Sequence, residues 1–408
     1  MLLENKNILV GVTASIAIYK SLELIRLLIK AKANVKVIMT ESSKNFVTPL
    51  TFEAISQNTV LHENSESWDK SSSYNHIDIG KWADVFVIAP CSANTINKIS
   101  NGIADNLLTQ TVLAYPGKKI IAPAANTNMI QNPITKKNLK NLEFNDFAIV
   151  SSIVKELACK DVGDGAMALV EDIFYATARE VLKEDYWVNR NVVLSGGGTV
   201  EKIDEVRYIS NFSSGKMASS LALALYLKGA NVTLISTRGH ENLPKKINTI
   251  AVQSSLEMYE ALVCSLKTAK KEAKKRSYLF MVAAVSDYLP KETRSGKLKK
   301  ETIGDKWSLE LKQNIDILNS LDKNEIISIG FKAEMDDSKA LENAKNMLEK
   351  KRLNGVCLNV LNDHNSFGSD KNQIELVLKE ISYKFNGNKL DISLDILKRL
   401  EREFNNYE

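Results

Sequence analysis

Small hydroxyl and amide side chains recur where short apolar runs give way to helical patterns. Gly11-Val12-Thr13-Ala14-Ser15 follows the first run and Thr40 the second. Pro90-Cys91-Ser92-Ala93-Asn94-Thr95 follows the third. Amides exposed at a helix N-terminus, helped by Ser and Thr hydroxyls, bind phosphate without needing a lysine. The same residue types also serve as plain N-caps. Three such turns at successive run ends nevertheless point to a nucleotide or a flavin mononucleotide. No GxGxxG is present, which disfavours a dinucleotide. Three reactive side chains follow: His76 in NHIDIGKWAD, Asn126 in PAANTNM and Cys159 in ACKDVGDG. A lone histidine or cysteine is ordinarily satisfied or inert, so only a shared pocket would give these a role. The second half has its own glycine-rich turn, Ser195-Gly196-Gly197-Gly198-Thr199, where backbone amides can approach a phosphate. Gly215-Lys216 is followed by Met217, so there is no Walker A loop, and GxSxG is absent from both halves.

The elements that must position these groups alternate along the chain. Ile8–Val12, Val35–Met39, Val85–Ala89 and Lys119–Ala122 read as strands, with a helix through Leu22, Ile25, Leu28 and Ile29. Continuous Val/Ile runs joined by helices indicate a parallel sheet covered on both faces. The pattern restarts with strands at Val192–Ser195, Val232–Ser236, Leu279–Ala284, Ile326–Phe331 and Val356–Asn359, and helices at Gly215–Lys228 and Ala340–Lys351. A helix at Glu171–Glu184 and a polar, aromatic joint at Asp185–Asn191 place the boundary near residue 188, giving domains 1–188 and 189–408. The fold class is therefore α/β, with two doubly wound domains. Lys267–Arg276 reads as the solvated face of a helix, and Lys291–Lys300 as a mobile basic loop able to close on phosphates.

Composition excludes several classes. The chain has 408 residues, 44% hydrophobic and 25% charged, with a net charge of +5. That charge is too small for a typical nucleic-acid protein, and no apolar run approaches the ~18 residues of a membrane span. The start, MLLENKNILVGV, lacks the basic region and long apolar run of a signal peptide, so a cytoplasmic location is expected. Cys91, Cys159, Cys264 and Cys357 form no CxxC pair, which disfavours zinc and dithiol chemistry and leaves buried small hydrophobes as the default.

GVTASIAIYK, HIDIGKWADVFVIAPCSANT, GIADNLLT, PAANTNM and ACKDVGDGAM resemble, in order and spacing, the flavin-dependent phosphopantothenoylcysteine decarboxylases over residues 5–180. The resemblance implies a flavodoxin-like, homo-oligomeric, FMN-binding decarboxylase. Thr13, Ser15, Thr40, Ser92, Asn94 and Thr95 would contact FMN. His76 would be the catalytic base, Asn126 the holder of the substrate carboxylate, and Cys159 the proton donor on a flap. Oxidising the thiol-bearing carbon first gives a thioaldehyde, an electron sink that lets carbon dioxide leave. Ala125 stands where the family has methionine. A flavin prenyltransferase shares the strand-end hydroxyls but not the ACKDVGDG flap. A non-catalytic flavoprotein subunit would not need the reactive residues retained here.

Arg207 to Met217, read RYISNFSSGKM, resembles the signature of phosphopantothenate–cysteine ligases. The agreement continues through AAVSDY (Ala283 to Tyr288), KLKK (Lys297 to Lys300), Asn314-Ile315-Asp316-Ile317 and Gly330-Phe331-Lys332-Ala333-Glu334. Behind a decarboxylase half, this order resembles the bifunctional coenzyme A biosynthesis family of bacteria. The resemblance implies a Rossmann-like ligase domain in which CTP activates the carboxylate of 4′-phosphopantothenate as an acyl-cytidylate, which the cysteine amine then attacks. Asn211 would hydrogen-bond that intermediate and Lys297 would neutralise the transferring phosphoryl group. Ala283, Asp287, Ile315, Asp316, Ile317, Leu318, Phe331 and Lys351 would bind CTP. Mg²⁺ would shield the triphosphate, with no protein ligand assigned. Met347 occupies a position where the family tends to place lysine, and Lys345 is the candidate to reach in its place.

Overall fold

The computed structural model describes residues 2–68, 75–156, 162–239, 243–299, 306–361 and 368–405. The chain divides into two compact units, Met1–Leu182 and Lys183–Glu408.

In the first unit, β1 (Asn7–Val12), β2 (Asn34–Met39), β3 (Val85–Cys91), β4 (Lys118–Pro123) and β5 (Phe147–Ile149) form one parallel sheet in the order β2-β1-β3-β4-β5. β3 is buried along its whole length, as a central strand covered on both faces must be. The helix Tyr19–Lys30 buries Leu24, Ile25 and Leu28, which recur at helical spacing. Strand order reverses between β1 and β3, and the crevice beyond their carboxyl ends is where this architecture binds ligands. β6 (Ile153–Glu156) and β7 (Val162–Ala166) form an antiparallel hairpin outside the sheet.

The second unit begins at Lys183 rather than 189. Arg190 is fully buried, stacks 4.0 Å from the Tyr186 ring and donates to the carbonyls of Tyr186 (2.9 Å) and Arg276 (2.6 Å). Trp187 packs 4.9 Å from Tyr278. The aromatic joint thus belongs to this core. Its remaining strands are β8 (Asn191–Gly196), β9 (Val200–Lys202), β10 (Tyr208–Ser210), β11 (Asn231–Ser236), β12 (Asn248–Ala251), β13 (Ser277–Met281), β14 (Tyr288–Pro290), β15 (Leu311–Gln313), β16 (Ile326–Glu334), β17 (Gly355–Val360), β18 (Lys371–Val377) and β19 (Ser382–Asn388). The large sheet runs β12-β11-β8-β13-β16-β17-β18-β19, parallel as far as β17 and antiparallel beyond. The β18–β19 hairpin differs from the all-parallel expectation: its half-exposed, alternating pattern carries no continuous apolar run. β13 also stops earlier than expected. Val282–Ala284 leave the sheet, with the Ala284 amide donating to the Gly197 carbonyl (2.9 Å).

Candidate functional site

The carboxyl ends of β1, β2, β3 and β4 surround a cavity of about 1060 Å³. Ser15, Thr40, Ser92, Asn94, Thr95 and Asn126 line it, so most of the expected flavin contacts converge on one wall. Several of these cavity-lining residues are also helix caps. Ser92 accepts from the Thr95 amide (3.3 Å) and so caps the helix Ala93–Ser100, whereas the Thr40 hydroxyl caps nothing. Asn126 caps the helix Thr127–Gln131 by accepting from the Asn128 amide (2.9 Å), which fixes its amide plane. The hairpin β6–β7 lies against this turn: the Ala125 amide donates to the Gly165 carbonyl (3.1 Å). A Cβ at Gly165 would lie 2.1 Å from the Ala125 carbonyl oxygen, so only glycine permits this approach.

Two expected residues stand elsewhere. Thr13 is buried behind the wall, donating to the Pro90 carbonyl (2.8 Å) and accepting from the Ser92 amide (2.9 Å). It ties β1 to β3 and does not line the cavity. His76 opens the helix His76–Trp82 and is also outside the described cavity wall. Its Nδ1 lies 2.8 Å from Glu66 Oε1, and its ring meets Trp68 edge-on at 5.4 Å. Cys159 lies outside the described residues. Sequence reasoning missed Glu66, because nine residues of intervening chain hide the pairing. Cys91 and Cys357 are buried, and burial pushes both thiols well above their ordinary range.

In the second unit, a cavity of about 460 Å³ opens beyond β13 and β16. Ala283, Asp287, Ile315, Asp316, Ile317, Leu318, Phe331 and Lys351 all line it, which gathers every expected CTP residue except Lys297. Asp316 caps the helix Ile317–Ser320 by accepting from the Asn319 amide, and pairs with Lys351 at 3.0 Å. Met347 lines the same wall one turn before Lys351 and covers Gly330. Lys345 is exposed and sits about 200° around the helix from Met347, so it does not substitute there. A second cavity of about 170 Å³ shares Ala283 and Phe331 with the first and reaches Ser213, Gly215 and Lys216 at the start of the helix Lys216–Lys228. Asn211 lines neither cavity but donates to the Val285 carbonyl (3.2 Å) in the strand-end segment between them.

The basic segment is anchored at several points, against the expectation of a mobile loop. Asp204 accepts from the amides of Val206, Arg207 and Leu298, and from the Arg207 guanidinium, which also donates to the Leu298 carbonyl. Burial pushes the Asp204 carboxyl up, but these donors outweigh it and hold it well below the usual range. Lys297 is exposed on this tied backbone, and Lys300 lies outside the described residues. Asp204→Asn should free the segment, giving faster tryptic cleavage at Arg294, Lys297 and Lys299. In the native chain the tie is complete above the unfolded carboxyl pKa of about 3.9 and is lost only as pH falls through the lower folded value. Hydrogen exchange at the Leu298 amide measured down the pH scale checks that sign.

The other basic stretch meets its expectation in part. Lys267 to Lys271 end the helix Ser255–Lys271, and Lys270 pairs with Asp322 at 2.7 Å. Among the described residues no cluster of three or more His, Cys, Asp or Glu side chains could hold a metal, and no helix is long and apolar enough to cross a membrane.

Comparison with known proteins places both units. Residues 2–182 match the Flavoprotein family, and residues 187–403 match the DNA/pantothenate metabolism flavoprotein C-terminal domain. The coenzyme A biosynthesis bifunctional protein CoaBC of Haemophilus influenzae is 37% identical, over 98% of this chain and 98% of its own. The protein of the same name from Bacillus subtilis is 37% identical, over 98% of this chain and 97% of its own. A solved structure of the C-terminal domain of a CoaBC protein is 27% identical, with a TM-score of 0.44, over 54% of this chain and 100% of that one. The chain belongs to the family of bifunctional coenzyme A biosynthesis proteins, a flavoprotein unit followed by a pantothenate-metabolism unit.

Proposed function

We propose that the two units divide two consecutive steps of coenzyme A biosynthesis between them. The second unit ligates cysteine to 4′-phosphopantothenate with CTP, through an acyl-cytidylate. The first decarboxylates the resulting 4′-phosphopantothenoylcysteine to 4′-phosphopantetheine. The observation that carries this reading is that each unit has its own strand-end cavity, lined by the residue types its reaction needs.

The hydroxyls and helix start around Ser15, Thr40, Ser92, Asn94 and Thr95 fit the phosphate and ribityl chain of FMN. Bound FMN supplies a hydride acceptor that returns the hydride once carbon dioxide has left, keeping the decarboxylation redox-neutral. Asn126 presents its amide to the substrate carboxylate. Glu66 holds His76 Nδ1, leaving Nε2 to take a proton from the substrate. Cys159 gives the final proton. Because the described cavity wall does not include His76, a homo-oligomer in which another copy brings the base to that wall is the assembly that completes the site.

In the second unit the strand-end residues from Ala283 to Asp287 and the Asn314–Leu318 turn hold CTP, while Asn211 bonds the acyl-cytidylate. 4′-Phosphopantothenate occupies the adjoining cavity, whose amides at Gly215–Lys216 suit an anionic end. Asp287 and the Lys351-paired Asp316 are the carboxylates in the CTP cavity, too few for an all-protein cage. Mg²⁺ therefore binds chiefly through the triphosphate, its usual habit.

The test is direct. Purified protein should be yellow and release FMN on denaturation, and pyrophosphate should appear with CTP, 4′-phosphopantothenate and Mg²⁺. A colourless protein, or release of FAD, would overturn the flavin assignment. Pyrophosphate release with ATP but not CTP would overturn the nucleotide assignment.

A further inference from the structure

Charged side chains of both signs line the flavin-unit cavity; of its carboxylates, Glu41 pairs with Lys44 at 2.6 Å, Glu63 accepts from the Leu107 amide at 3.1 Å, and Asp105 is the third. Lys20, Lys98 and Lys155 also line the cavity. Lys98 is neutralised by Asp105 at 2.6 Å. Lys20 is half-buried on the first turn of Tyr19–Lys30, and its Nζ donates to the Met167 carbonyl at 3.3 Å. Lys155 is exposed on β6, the strand leading into the segment with Cys159. Among the described residues neither Lys20 nor Lys155 has a carboxylate within ion-pair distance. Burial and then repulsion from Lys155 push the Lys20 pKa down, with Glu23 and Glu171 offsetting part of this. Two unneutralised ammonium groups facing one cavity fit a bound dianion, which lysine attracts as a point charge.

The strand-end hydroxyls already provide for one phosphate. The cavity, at about 1060 Å³, lies at the upper limit of pockets that enclose a single small ligand, roughly 300–1,000 Å³. It therefore has room for flavin and a second phosphorylated molecule. We propose that Lys20 and Lys155 jointly bind the phosphomonoester end of the decarboxylase substrate and make this unit prefer phosphorylated over unphosphorylated pantothenoylcysteine. The proposal rests on the decarboxylase reading above. Lys155 pairs with Gly163 across the hairpin, so its charge is carried by the same element that bonds the Ala125–Asn126 turn.

The experiment measures kcat/KM for carbon dioxide release from 4′-phosphopantothenoylcysteine and from pantothenoylcysteine, using the full chain. Wild type should prefer the first. In the Lys20→Gln/Lys155→Gln double variant the ratio of the two values should fall on the order of ten- to a hundredfold, as expected for losing charge-assisted hydrogen bonds. Lys20→Arg should keep most of the preference, and the flavin content of the double variant should match wild type. An unchanged ratio, or no preference in wild type, would overturn the proposal. Loss of flavin from the double variant would also overturn it, by showing that the lysines serve the cofactor phosphate. Wild type acting on neither substrate would instead sink the decarboxylase reading, and this proposal with it.

Discussion

Lys297→Gln should slow pyrophosphate release from CTP and 4′-phosphopantothenate on the order of a hundredfold at saturating nucleotide. Lys297 is exposed, yet both its neighbours are tied: the Gly296 carbonyl accepts from the Glu205 amide, and the Leu298 amide donates to Asp204. Its Cα is thus fixed while its side chain stays available. The surrounding field is weaker than the sequence suggests, because Lys291 is paired with Glu310 at 2.9 Å. A charge that meets the phosphoryl centre only as the carboxylate attacks contributes in the transition state, and removing it costs about 3 kcal/mol or more. If the segment merely gathers nucleotide, the variant will show a higher KM for CTP and a normal maximal rate. That result would remove Lys297 from the chemistry.

His76→Asn should lower carbon dioxide release by about 10²–10⁴-fold while leaving flavin bound, the range expected for loss of a general base. The Glu66 contact gives this prediction a finer form. Glu66→Ala should lower kcat with little change in KM, because it frees the imidazole to rotate without touching substrate. Glu66→Gln retains an oxygen that can accept from Nδ1 and should restore most of the loss. If both Glu66 variants behaved as wild type, the 2.8 Å contact would have no role in orienting the base.

The parallel sheets were legible because their strands are continuous apolar runs, and runs of that kind have few other uses. The hydroxyl turns were legible too, since Ser15, Thr40 and Ser92 mark strand ends directly. Features created by distant pairing were not. Thr13 has the right type and place for a cofactor contact, but its hydroxyl is consumed by Pro90 and Ser92 across the sheet. The Asp204 anchor joins segments 94 residues apart, and no local pattern announces it. The β18–β19 hairpin hid behind alternating polar and apolar residues. Tyr186 and Trp187 read as a linker because their shared partner Tyr278 becomes a neighbour only on folding. Lys345 looked able to replace the lysine missing at Met347, and helix geometry places it on another face.

The central claim is that one chain makes a cysteine amide and then decarboxylates it. The direct measurement supplies 4′-phosphopantothenate, CTP, Mg²⁺ and cysteine labelled at its carboxyl carbon, and follows labelled carbon dioxide with pyrophosphate. The account predicts one labelled carbon dioxide and one pyrophosphate for each 4′-phosphopantetheine formed, with no carbon dioxide when CTP is omitted. Labelled carbon dioxide released from free cysteine without CTP, or pyrophosphate formed with no carbon dioxide following it, would contradict the account.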